Sequence, residues 1–165
     1  MKEVSQYVII YLAIISISVG MIACKESSKT YMYITEDDIW EIMDEVEVAT
    51  LNKEIDGVIK HLAPSVVIRV TTDTPIGPQT VLMSREQYHD ETLKGWSTTS
   101  HHEYRRENEE IKISDDGQIA VVETDIIERQ VVQGQTMNTT THERVTLEIV
   151  GGEILVTRID AFMRM

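Results

Sequence analysis

Four long strand-like segments follow one another in the second half of this chain, at about 101–113, 118–132, 136–150 and 153–163. They are joined by Asp115-Asp116-Gly117, Gln133-Gly134-Gln135 and Val150-Gly151-Gly152, all short turn signals. Four long strands with tight turns make an antiparallel meander. In the third, Val145, Leu147 and Ile149 alternate with Arg144, Thr146 and Glu148, so one face of the sheet is covered and one is wet. The rest of the chain has to supply the cover.

The first half does so with helices. Thr35 followed three residues later by Asp38 makes a capping box, and Ile34 and Ile39 are spaced to staple across it. Ile39, Ile42, Met43 and Val46 then form one apolar stripe. Asn52 is placed to cap a second helix, with Ile55, Val58, Ile59 and Leu62 on its apolar side and Pro64 as its stop. Val66-Val67-Ile68-Arg69-Val70 reads as a short strand, and 72–80, with Pro75, Gly77 and Pro78, as a loop or broken hairpin. Ser84 and Gln87 form a second capping box for a third helix, with Gly95 as its expected end. This order excludes a doubly wound fold. It predicts an α+β, cone-shaped domain with three N-terminal helices packed on the concave face of a strongly curved antiparallel sheet.

The order also resembles the nuclear transport factor 2-like superfamily, in particular its SnoaL-like, polyketide-cyclase-like small domains. The resemblance rests on the opening helix at 39–49, Asn52-Lys53-Glu54-Ile55-Asp56-Gly57, the helix at 84–96, Asp116-Gly117-Gln118-Ile119-Ala120-Val121-Val122 and Gly151-Gly152-Glu153-Ile154. It implies a cavity between helices and sheet and often a homodimer made through the sheet. It implies no particular activity, because this fold carries isomerases, dehydratases, cyclases and plain binding domains. A dimer has a basis in the residues too. Ile119, Val121, Ile127 and Val131 fall on one parity, Ala120, Val122 and Ile126 on the other, so both faces of that strand are partly apolar.

Ahead of the domain lies an uncharged run at 4–23, closed by Met21-Ile22-Ala23-Cys24 and followed by polar Lys25-Glu26-Ser27-Ser28-Lys29. This arrangement resembles the lipobox of a bacterial lipoprotein signal peptide. It implies cleavage before Cys24, a lipid on its thiol, and an address in the cell envelope, at the periplasmic face of the outer membrane in a Gram-negative host. The alternatives are an uncleaved anchor, since twenty uncharged residues would span about 30 Å as a helix, and a chance cysteine at the boundary of an apolar run. The expected organisation is a signal peptide at 1–23, a polar tether at 24–33 and the domain at 34–165. With its single cysteine committed to lipid, the domain holds together by burial alone. The net charge of −13 argues against nucleic acid as a partner.

Candidate site residues follow from the expected cavity, whose occupant would be a small, partly apolar ligand. Trp40, Tyr88, Trp96 and Tyr104 are the large amphipathic side chains near its wall; they either fill the core or contact the ligand. Arg69, a lone cation in an apolar strand, either meets a ligand carboxylate or pairs with Glu123, Asp125 or Glu143. Glu123 and Asp125 share a strand face, either as a carboxylate pair or solvated on the outer side. The ketosteroid isomerases of the superfamily use a first-helix tyrosine with two strand carboxylates, but here that helix offers Trp40 and Met43, and their residues are not carried over. In His101-His102-Glu103 the first and third residues share a face while His102 points away, short of a metal site. No cofactor is implied. Sequence reading alone favours binding without chemistry; the competing classes are an isomerase or dehydratase with Glu123, Asp125 or Glu143 as base and Tyr104 as donor, and a non-catalytic protein-interaction or assembly domain.

Overall fold

The computed structural model describes residues 30–132 and 134–164. The uncharged run and Cys24 lie outside the described residues. Helix α1 (Glu36–Asn52) starts at the expected capping box. The Asp38 N–H donates to the Thr35 hydroxyl (3.3 Å), and the Thr35 N–H donates to the Asp38 carboxylate (3.2 Å). Ile39, Ile42, Met43 and Ala49 are buried along one side. The helix ends at Lys53, which adopts the left-handed conformation (φ 57°).

The next stretch differs from the sequence expectation. Helix α2 spans only Ile55–Ile59, its N-cap is Glu54 rather than Asn52, and Leu62 and Pro64 already belong to strand β1 (Leu62–Thr72). The sheet claims these residues because Leu62 pairs with Val156 of the last strand. The register then slips between Leu62 and Val67, the stretch where Pro64 offers no N–H to a ladder. Gly57 lets α2 lie against α1, since a Cβ there would sit 2.7 Å from the Ala49 Cβ.

Strand β2 (Gln79–Met83) closes a hairpin with β1, beginning at the end of the stretch expected as a loop or broken hairpin. Helix α3 (Arg85–Thr98) begins at the Ser84–Gln87 capping box and runs past Gly95. The meander follows as β3 (Thr99–Ile113), β4 (Ile119–Val132), β5 (Gln135–Val150) and β6 (Glu153–Arg164). The six strands order as β2-β1-β6-β5-β4-β3, antiparallel throughout except for β1 against β6. The β3–β4 turn clasps the start of the domain: Gly117 takes φ +67°, and its carbonyl accepts from the Ile34 N–H at 2.7 Å.

Helices and sheet meet over one apolar core. Ile39, Ile42, Met43, Ile55 and Ile59 come from the helices, and Val66, Ile68, Ala120, Val122, Val145, Leu147, Ile154 and Val156 from the strands. Each large side chain of this set contributes about 1.5–3 kcal/mol by leaving water. The opposite face is wet and ionic. Arg69, Asp160, Arg144 and Glu123 are cross-strand neighbours on β1, β6, β5 and β4, a row of alternating sign. Arg69 meets Asp160 at 3.5 Å and Arg144 meets Glu123 at 3.4 Å. At one end of this face Ile119 stays 43% exposed and Val67 45%.

Candidate functional site

Side-chain alternation along the three longest strands carries a set of polar groups to the same inner side as the core. On β5, Glu143 shares parity with buried Val145 and Leu147. On β4, Glu128 follows buried Val122, Thr124 and Ile126 at intervals of two. On β3, His102, Tyr104 and Arg106 alternate with exposed His101, Glu103 and Arg105. Helix α3 adds Tyr88 and Trp96, both half-buried against the core.

These groups form two linked units. His102, whose side chain is 3% exposed, bonds through Nε2 to the Glu128 carboxylate at 2.8 Å. Its Nδ1 is buried without a hydrogen-bond partner among the described residues. A carboxylate accepts only, so Nε2 carries the proton, and in neutral imidazole Nδ1 then offers a lone pair. The Tyr104 ring stands edge-on to that imidazole, with centroids 6.4 Å apart. Gln130 donates a further hydrogen bond to Glu128 at 3.3 Å.

The second unit is Glu143 with the two phenols. Burial, and then the negative charge of Glu128, push its carboxyl up to about 7. Neither a cation nor a hydrogen bond among the described residues offsets that burial. Burial raises Tyr88 to about 12, with the Glu143 charge as the next cause. Tyr104 is raised well beyond the ordinary phenol range, again by burial first and Glu143 second. Both phenols therefore stay protonated near neutral pH. The arrangement offers two proton acceptors, Glu143 and His102 Nδ1, and two phenol donors.

The remaining candidates lie elsewhere. Arg69 pairs with Asp160 rather than with Glu123, Asp125 or Glu143, and it sits on the outer face with Glu123. Asp125 is there too, bonded to His142 at 3.0 Å and Asn108 at 2.8 Å. Trp40 is half-buried on α1, next to buried Ile39 but outside the core cluster. The structure thus brings Tyr88, Trp96, Tyr104 and Glu143 to one side and leaves Trp40, Arg69 and Glu123 apart from them. His102 and Glu128 are added by the structure; their parity with Tyr104 and with Val122 is the signal that marks them as inward-facing. Among the described residues no three His, Cys, Asp or Glu side chains converge as metal ligands.

The chain matches no protein-family model and no curated protein. Solved structures do match. A conserved protein from Planctomyces limnophilus superposes with a TM-score of 0.64 at 15% identity, over 76% of this chain and 92% of that one. An NTF2-like protein from Cytophaga hutchinsonii gives 0.60 at 15% identity, over 78% and 98%. This is the nuclear transport factor 2-like fold. A further structure sharing the NTF2-like fold is hexachlorocyclohexane dehydrochlorinase LinA-type3 from Novosphingobium barchaimii, at 0.61 and 10% identity, over 76% and 83%. In this chain the inner face of the NTF2-like cone is where Glu143, His102 and the two phenols gather.

Proposed function

We propose that the domain binds a small, partly apolar molecule between its helices and the inner face of the sheet and moves a proton on it. Glu143 is the base, and Tyr104 donates a hydrogen bond to the oxygen that gains charge. One observation carries the reading: Glu143 is a half-buried carboxylate on the inner side of the sheet whose burial no cation among the described residues offsets. A solvent-facing carboxylate near 4.5 is a weak base, whereas one near 7 is far stronger and still half ionised at neutral pH. Removing a proton from carbon beside a carbonyl builds charge on oxygen, where a neutral phenol stabilises it. The reaction class is isomerisation or elimination, and the dehydrochlorinase name of one fold neighbour agrees with eliminating chemistry on this scaffold.

The test uses nitrobenzisoxazole, an apolar carbon acid whose ring opens once a base removes its proton. The protein is expected to accelerate that opening, with a rate that climbs as pH passes through about 7. Glu143→Gln is expected to lower the rate at least about a hundredfold, the usual worth of a positioned base. Equal rates from the two proteins would return the domain to simple binding.

We also propose that the domain is carried on the envelope membrane by a lipid on Cys24. The support is the uncharged run at 4–23 and the Met21-Ile22-Ala23-Cys24 sequence that closes it. Among the described residues no helix is long and apolar enough to cross a membrane. Radiolabelled palmitate fed to cells expressing the chain is expected to enter the wild type and not Cys24→Ser. Equal labelling of both would overturn the anchor.

A further inference from the structure

The outer face of the sheet carries a groove of about 460 Å³, lined from β3, β4, β5 and β6. Two rows of residues build it, with the row of Tyr104, Glu128 and Thr139 between them. In one row Arg105, Ile127, Thr140 and Arg164 are cross-strand neighbours; in the other come Glu103, Arg129 and Asn138. The first row spans three strand spacings, about 14 Å. Its long side chains stand at the two ends and its short ones in the middle, which is why the surface dips there.

The protein carries a net −13, yet three guanidiniums line one concavity. Elsewhere on the same face three arginines share two carboxylates: Arg69 and Arg158 both reach Asp160, and Arg144 reaches Glu123. In the groove, Arg129 meets Glu103 at 3.3 Å and Arg105 meets Glu107 at 3.0 Å. Arg164 has no carboxylate within ion-pair distance among the described residues, but its charge acts on Asp125, and its guanidinium lies 5.3 Å from the Phe162 ring centroid. Three cations thus face three carboxylates, Glu103, Glu107 and Asp125. Each guanidinium has five N–H donors and a single carboxylate engages at most two of them, so most donors stay available. Asn138 and Thr140 add neutral polar groups beside them.

We infer that this groove binds a small, multiply charged anion bearing phosphate or carboxylate groups. Its volume suits a compact metabolite, and planar guanidiniums recognise both groups in two-pronged fashion. The site lies across the sheet from the inner-face cluster, with the Tyr104 and Glu128 positions common to both, and it does not depend on the proton-transfer reading.

Calorimetric titration of the full chain in neutral detergent at low salt tests it, with pyrophosphate and citrate as probes. At least one probe is expected to bind, and the tighter of the two names the preferred group. Arg105→Gln, Arg129→Gln and Arg164→Gln are each expected to weaken binding roughly tenfold, the loss of one charge-assisted hydrogen bond. Arg158→Gln, on the same face but outside the groove, is expected to leave it unchanged. No heat with either probe would overturn the assignment. So would an equal loss in Arg158→Gln, which would mean only a diffuse field. Binding of glycerophosphoglycerol, a singly charged lipid headgroup without its chains, as tightly as pyrophosphate would also overturn it.

Discussion

Glu143→Gln is expected to make the protein more stable, by an amount that grows with pH. The Glu143 carboxyl sits at about 7 in the folded state against an ordinary 4.5. Below pH 4.5 the group is protonated in both folded and unfolded chains and costs nothing. Between 4.5 and 7 the unfolded chain releases the proton while the folded one keeps it, so folding stability falls as pH rises. Above 7 the cost is complete, about 3 kcal/mol for a gap of that size. Glutamine has the same shape and no charge to desolvate. Denaturant unfolding of both proteins from pH 4.5 to 8 should therefore give curves that diverge, with the wild type falling away. His61, which burial holds below its usual value, titrates with the opposite sign but is common to both proteins. Parallel curves would mean that Glu143 is solvated. A carboxylate that destabilises its own fold persists where it serves chemistry, so the substitution that removes the proposed base should also relieve the strain on stability.

What sequence reveals here depends on how local each feature is. Both capping boxes form as read, because a cap is decided within four residues. The meander strands fall within two residues of the expected bounds, since tight turns and alternation fix them. The second helix is misread because its fate is decided from a distance. Leu62 has the right spacing for a helix, but the parallel pairing with Val156, ninety-odd residues away, is invisible to local periodicity. Strand β2 is hidden for the same reason: Val81 and Leu82 stay exposed and announce no buried face.

The inner cluster is half legible. Tyr104 and Glu143 stand out by residue type, and the period-two rule would have carried His102 and Glu128 inward with them. Arg69 is misleading by its apolar neighbours. Val66 and Ile68 face the core, but Arg69 has the other parity, and its partner Asp160 lies on the strand that pairs in parallel with it.

Removing the acids around Arg106 is expected to cost more than removing Arg106 itself. Its side chain is 8% exposed on the inner side of β3, beside the irregularity where Asn108 adopts φ 55°. Its Nη2 and Nε donate to Asp44 and Glu47 of α1, both at 2.7 Å, and Nη1 lies 3.1 Å from Glu109. Asp44 and Glu47 are three apart on the helix and so share a face, which makes the guanidinium a clamp between α1 and the sheet. The partners differ in their access to water: Asp44 is 70% exposed, Glu47 30% and Glu109 23%. In Arg106→Met the acids turn outward and are solvated, while the methionine fills the space. A loss of about 1 kcal/mol is expected, close to the modest worth of partly exposed pairs. In the double variant Asp44→Asn with Glu47→Gln the guanidinium stays buried with Glu109 alone. Stranding a buried charge costs about 3–5 kcal/mol, so this variant should be the less stable by a wide margin. Tyr104, whose phenol feels both Arg106 and Glu47, links the clamp to the inner cluster. The double variant should therefore also loosen α1 over the site, read as faster amide exchange along α1 near residues 44–47. If Arg106→Met proves the more damaging change, the guanidinium is holding the helix by packing rather than by charge.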